Sequence, residues 1–121
     1  MKDKPNTRKT GNRYEDMAAL AMKNEGYRIL ERNFSCKTGE IDIIAREKEY
    51  LVFCEVKYRK TKGAGDPTEA VNYRKQRKIC MTASYYMMCK NLKDDVPVRF
   101  DVVSILGDEV RILRNAFPYC L

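Results

Sequence analysis

Two short apolar runs, each with acidic residues inside it, limit what this chain can fold into more than any other feature. They are Gly39-Glu40-Ile41-Asp42-Ile43-Ile44-Ala45 and Val52-Phe53-Cys54-Glu55-Val56-Lys57. Both are rich in β-branched residues and short enough to be strands of one sheet. A carboxylate taken into such a strand costs on the order of several kcal/mol unless a cation compensates it. Asp42, Glu55 and Lys57 therefore need a reason to be there, and a metal ion together with a phosphate is the economical one.

Side chains alternate across a strand with period two, and Cα atoms two apart are separated by roughly 6.5 Å. Leu51, Phe53, Glu55 and Lys57 then share one face of their strand, which sets Glu55 and Lys57 side by side. Asp42 shares a face with Glu40 and Ile44, and a short connection through Arg46 to Tyr50 brings it opposite the Glu55 region. Two carboxylates around one point suit a hard divalent cation, which takes its remaining ligands from carbonyls, water and phosphate oxygens. An ion so held activates water for displacement at phosphorus, with the lysine placed to orient that water. The plainer alternative is a solvated Glu55–Lys57 ion pair. Asp42 in a second apolar run is what weighs against it.

Asp42, thirteen positions before Glu55-Val56-Lys57, resembles the signature of the PD-(D/E)xK nuclease superfamily, the restriction-endonuclease-like fold. The two runs together resemble more narrowly the YraN family of small bacterial proteins, generally described as endonuclease-like. The likeness extends from about Gly11 to Leu113 and includes Gly11 through Glu15, Asn33-Phe34 and Lys75-Gln76. It implies an active-site set of Glu15, Asp42, Glu55 and Lys57, with Glu15, Asp42 and Glu55 as ligands of Mg²⁺ or Mn²⁺. One departure is Tyr14, where many chains of that family carry a glycine.

Glu15 has a second argument. A helix from about Asn12 to Glu25 aligns Glu15 with Ala18, Ala19 and Met22, so its carboxylate falls on the stripe that otherwise reads as buried. A first-turn acid favoured by the helix dipole explains it equally well from the residues alone; the resemblance favours the site. Gly26 ends that helix.

The remaining order is one of strands, a helix and strands. Tyr27 to Phe34, Gly39 to Ala45 and Tyr50 to Tyr58 read as three strands. Asp66-Pro67-Thr68-Glu69 carries an N-cap, a helix-opening proline and a capping-box acid, which predicts a long helix to about Asn91. Val98 to Leu106 and Glu109 to Leu113 are two more strands, joined at Gly107-Asp108. The fold class is thus α/β (α+β), a mixed central sheet flanked by helices in the order α-β-β-β-α-β-β, with the second helix as the crossover. Residues 1–10 read as a basic flexible tail and 11–121 as a single domain.

Charge points to a polyanion. The chain carries 24 Lys and Arg against 17 Asp and Glu, a formal +7. Between residues 57 and 78 the excess is concentrated around the acidic pair: Lys57, Arg59, Lys60, Lys62, Arg74, Lys75, Arg77 and Lys78 against Asp66 and Glu69. Such a cluster recruits phosphates through counterion release. Arg59, Lys60, Lys62, Arg74, Lys75, Gln76, Arg77 and Lys78 are the candidate nucleic-acid-binding residues, with residues 59–65 as a loop over the site. Lys75 interrupts the apolar stripe Val71, Ile79, Ala83 and Tyr86 of the second helix. Either it points into the site or it runs its stem along the core rim with the amine in water.

With no histidine, Ser-His-Asp and Cys-His nucleophiles and His-ligated zinc are excluded. Five cysteines without a Cys-x-x-Cys spacing read as reduced, packed thiols of a cytoplasmic protein. The N-terminus lacks the apolar core of a signal peptide, and no run reaches the roughly 20 apolar residues of a membrane helix. The expected function is metal-dependent phosphodiester hydrolysis in DNA, with branched or structured DNA as one substrate class. The competing reading is a non-catalytic nucleic-acid-binding or adaptor protein that retains the fold. The expected partner is nucleic acid, DNA first, with no membrane; a homodimer is compatible with the family resemblance.

Overall fold

Gly26 adopts φ +101°, a backbone conformation that residues with a Cβ rarely take, and ends the first helix in the expected place. The Gly26 amide donates to the Lys23 carbonyl and the Tyr27 amide to the Met22 carbonyl, each at 3.0 Å, so carbonyls of the last turn are satisfied as the chain reverses. The computed structural model describes residues 5–59, 71–93 and 95–120, with side chains from residue 13 onward. Helix α1 spans Pro5–Asn24, starting seven residues before the expected Asn12, with proline at a position where its missing N–H costs nothing.

Three strands follow, β1 (Arg28–Cys36), β2 (Gly39–Glu47) and β3 (Tyr50–Arg59), then α2 (Tyr73–Cys89), β4 (Val98–Leu106) and β5 (Glu109–Phe117). The sheet order is β1-β2-β3-β4-β5. Every neighbouring pair is antiparallel except β3 and β4, which run parallel from Leu51↔Val98 to Arg59↔Leu106. A parallel neighbour requires a crossover, and the segment that contains α2 makes it. This is the mixed sheet with two flanking helices read from the sequence.

The boundaries of α2 differ from expectation. The helix opens at Tyr73, where the Asn72 side chain accepts the Lys75 amide at 2.9 Å, and Val71 and Asn72 themselves are not helical. The Asp66-to-Glu69 capping sequence and the 60–65 part of the loop lie outside the described residues. Strand β5 continues to Phe117, beyond the expected Leu113.

Each face of the sheet carries its own core. Ile41, Ile44, Leu51, Phe53, Phe100 and Val102 pack with Ile79, Cys80, Ala83 and Tyr86 of α2. Ile43, Ala45, Val52, Cys54, Val103 and Ile105 pack with Ala18, Ala19 and Met22 of α1. The five cysteines are free; Cys54 and Cys80 are buried as expected, whereas Cys89 is exposed. Among the described residues no helix is long and apolar enough to cross a membrane.

Candidate active site

Asp42 sits at a slip in the pleat of β2. Ile41 and Ile44 both belong to the α2-side core, while Ile43 and Ala45 belong to the α1 side, so the alternation loses one step at Asp42. The β2–β3 pairing runs from Glu47↔Tyr50 to Ile43↔Cys54 and stops one rung short of Asp42 and Glu55. Where the ladder ends, the Val56 amide donates to Asp42 Oδ2 at 2.8 Å. A carboxylate thus takes the place of a strand carbonyl, and the opening between β2 and β3 becomes part of a cleft.

Glu55 lies on the α2 face of β3 with Leu51 and Phe53, and only 7% of it is exposed. Its Oε2 meets the Lys75 ammonium at 2.9 Å and the Lys57 ammonium at 3.5 Å. The Glu55–Lys57 adjacency expected from period two is therefore present, and Lys75 reaches the same oxygen from α2. Burial, and then the negative charge of Glu55, push the Asp42 carboxyl up to about 7 against the opposing Val56 hydrogen bond; Glu15 and Glu40 add to the rise. Burial works against the charge on Lys75, but the hydrogen bond and charge of Glu55 overcome it and hold the ammonium above its ordinary pKa.

Asp42, Glu55 and Lys75, but not Lys57, line a cleft of about 380 Å³ bounded also by Gly39, Glu40, Asn72, Arg74, Lys78 and Ile79. Lys75 thus lines the cleft with its ammonium on Glu55, while its side chain stays 45% exposed. Gln76 does not line it: its Nε2 donates to the Val71 carbonyl at 2.8 Å and secures the start of α2. Arg74, Arg77 and Lys78 are exposed on the same turn region. Arg59 closes β3, and Lys60 and Lys62 lie outside the described residues.

Glu15 is buried on the α1 stripe with Ala18, Ala19 and Met22, as expected. Its Oε1 accepts Arg32 Nη2 at 3.1 Å, Arg32 Nε at 3.3 Å and Asn33 Nδ2 at 3.0 Å. Glu15 therefore acts on Asp42 through its field, while its own carboxylate is held by β1. Asn33, at φ +56°, falls between the Arg32↔Ile43 and Phe34↔Ile41 pairs, the rung of Asp42. A left-handed asparagine inside a strand breaks the ladder beside Asp42. Nearby, Tyr14 of α1 stacks on Tyr58 of β3 with ring centroids 3.7 Å apart, fixing the start of the buried stripe against the end of β3.

A second charged cluster, which the sequence reading missed, occupies the α1 face of the sheet, where Asp101 pairs with Cys54, the residue before Glu55. Asp101, fully buried, accepts the Tyr27 hydroxyl at 2.6 Å, Arg99 at 2.8 and 2.9 Å, and the Asn115 amide at 2.9 Å. Arg114 binds Glu47 through Nη2 at 2.7 Å, and Arg99 binds it too. The Arg114 hydrogen bond dominates in holding the Glu47 carboxyl down at about 2. Here the acids are matched by guanidinium groups, so the cluster is a closed structural network. Its only sequence signal was a charged residue at each of two alternate positions, Arg99 and Asp101, inside an apolar strand.

The two clusters differ in what they lack. Asp42 and Glu55 have no guanidinium partner in the described structure, and Asp42 is driven toward its neutral form. That donor set fits a divalent cation, which needs only one or two carboxylates and completes its shell from backbone oxygen, water and phosphate. Among the described residues no group of three or more His, Cys, Asp or Glu side chains is spaced to hold an ion. Glu15 is accordingly a neighbour of the pair rather than a third convergent ligand in this geometry.

The family described as Uncharacterised protein family UPF0102 matches residues 14–105, a span that contains Glu15, Asp42, Glu55, Lys57 and Lys75. A UPF0102 protein of Lachnoclostridium phytofermentans is 50% identical over 103 residues, covering 85% of this chain and 87% of the relative. One from Fusobacterium nucleatum is 48% identical over 110 residues, covering 91% and 92%. A third, from Clostridium botulinum, is 46% identical over 109 residues, covering 85% and 89%.

Proposed function

This chain belongs to the UPF0102 family, and we propose that it is a metal-dependent endonuclease of the YraN type, within the PD-(D/E)xK superfamily, that hydrolyses phosphodiester bonds in DNA, structured or branched DNA included. The observation that carries this reading is Asp42, which has no cation partner among the described residues and faces the Glu55 carboxylate in a cleft rimmed by Arg74, Lys75 and Lys78. A carboxyl pushed up to about 7 by burial and a neighbouring carboxylate marks a place where a bound cation would relieve repulsion.

Asp42 and Glu55 are the residues that would hold Mg²⁺ or Mn²⁺, and such an ion, when bound, lowers the pKa of water and neutralises charge at phosphorus. The chain's own groups supply the rest. Lys57, at the edge of Glu55, would be the donor to a water approaching the phosphate. Arg74 and Lys78 offer cations to the backbone phosphates along the cleft rim. Glu15 is a positioning residue: it holds Arg32 and Asn33 and adds negative field at Asp42.

A second reading, a non-catalytic nucleic-acid-binding or adaptor protein, is favoured by one observation, the two ammonium groups already on Glu55 Oε2. A panel of duplex, flap, junction and single-stranded DNA and RNA, incubated with Mg²⁺ or Mn²⁺, separates the two. The endonuclease reading expects cleavage of at least one DNA that disappears in Asp42→Ala. Binding without cleavage of any member, equal in wild type and Asp42→Ala, would establish the binding module instead.

A further inference from the structure

Two ammonium groups share Glu55 Oε2, and they are not equivalent. Lys57 is two residues along the same strand, so the pleat fixes it at the edge of Glu55. Lys75 comes from the first turn of α2, sits closer at 2.9 Å, and its side chain is 45% exposed. It lines the cleft together with both carboxylates. A cation shared by Asp42 and Glu55 must face both acids from that cleft, where the Lys75 ammonium now contacts Glu55. Lysine is a compact charge on a flexible four-carbon stem, so it can leave the carboxylate without moving the helix. Its backbone amide stays anchored on Asn72 throughout.

We propose that Lys75 is an exchangeable internal counter-ion: it rests on Glu55 while the cleft holds neither metal nor nucleic acid, and moves to a phosphate of the bound strand when a divalent cation takes Glu55. The inference rests on the metal-dependent reading above and adds to it a coupling between the two ligands. A phosphate that draws Lys75 away uncovers Glu55 for the metal, and a metal that displaces Lys75 frees it for phosphate. Because the coupling is thermodynamic, each ligand must tighten the other by the same factor.

The test is calorimetric binding of Mn²⁺ to the full chain at pH 8, with and without a nuclease-resistant phosphorothioate duplex. Wild type, Lys75→Met, Lys75→Gln and Lys78→Met are compared. Lys78→Met removes the same charge from the same cleft without a contact to Glu55. Both Lys75 variants should bind Mn²⁺ alone about three- to tenfold more tightly than wild type, and more tightly than Lys78→Met. The gain that the duplex gives to Mn²⁺ should shrink in them by that same factor. Duplex affinity should be near wild type in the Lys75 variants without metal and weaker with it, whereas a lysine that simply binds DNA would lose affinity in both conditions. Unchanged or weaker Mn²⁺ affinity in both Lys75 variants, or a gain no larger than that of Lys78→Met, overturns the counter-ion while leaving the endonuclease reading intact. Wild type that binds no Mn²⁺ in either condition overturns both.

Discussion

Asp42 accepts the Val56 backbone amide at 2.8 Å at the point where the β2–β3 ladder ends, so its carboxylate stands in for a strand carbonyl. Asp101 does the same for the Asn115 amide at 2.9 Å, where the β4–β5 register shifts between Phe100 and Val102. The backbone task is shared and the electrostatic setting is opposite. Asp101 is matched by Arg99 and the Tyr27 hydroxyl, whereas Asp42 faces Glu55. A fold that needed Asp42 only for Val56 would gain by giving it a cation. Asp42 beside Glu55, without a cation of its own among the described residues, is the arrangement that the proposed metal site would explain.

Asp42 sets a pH dependence for the metal-free protein. Its folded pKa of about 7 lies above the ordinary carboxylate value of 3.8. The folded state therefore binds a proton that the unfolded state has already released, and stability falls as pH rises from about 4 through 7. The loss amounts to at most about 4 kcal/mol. Glu47 works in the other direction: its folded pKa of about 2 means that its contribution is present above about 4.5 and lost as pH falls toward 2. Denaturant unfolding from pH 2 to 8 without divalent ions should show stability that rises and then declines. In Asp42→Asn the decline should vanish while the acid-side rise remains.

Arg99 tests the guanidinium-matched cluster. Arg99→Met leaves Asp101 without its guanidinium in a fully buried position and should cost about 3–5 kcal/mol. Denaturant midpoints measure this directly. Divalent ions should not restore the loss, because the cluster lies on the α1 face and not in the Asp42–Glu55 cleft.

How far the sequence disclosed all this depended on the range of the signal. Local patterns found the element order, the full span of β4, the Gly26 helix end and the burial of Glu15 on the α1 stripe. Period two found Glu55 beside Lys57, and helical spacing aligned Lys75 with Ile79 and Ala83. The sequence predicts a second helix running unbroken through Val71 and Asn72, which are not helical; Asn72 instead caps the helix that opens at Tyr73, and Asp66-Pro67 lies outside the described residues. Polar Arg114 and Asn115 concealed the continuation of β5, because Arg114 is engaged by Glu47 and Asn115 turns left-handed at a register shift. The clamp of Arg32 and Asn33 on Glu15, and the Tyr27–Arg99–Asp101 network, join residues 17 to 74 positions apart, and no periodicity reports such pairings.

The basic rim predicts a salt dependence. Gln at Arg74, Arg77 and Lys78 together should weaken DNA binding and flatten the slope of log affinity against log salt by up to about 0.9 for each phosphate that is no longer neutralised. The fold should survive, since all three are exposed. Fluorescence anisotropy over a salt series reads both quantities; an unchanged slope would make the cluster a solvated face.

Thermal unfolding at pH 8 of wild type, Asp42→Asn and Glu55→Gln, with and without Mn²⁺, shows whether Asp42 and Glu55 are kept together to hold a divalent cation. Asp42→Asn retains an acceptor for the Val56 amide and removes a like charge, so without metal it should match or exceed wild type. Glu55→Gln strands Lys57 and Lys75, both partly exposed, and should lose only about 1 kcal/mol. Mn²⁺ should raise the wild-type Tm through mass action and leave both variants unmoved. A wild type indifferent to Mn²⁺, with both variants destabilised by several kcal/mol whether or not metal is present, would rule out the metal site and make the pair a structural one.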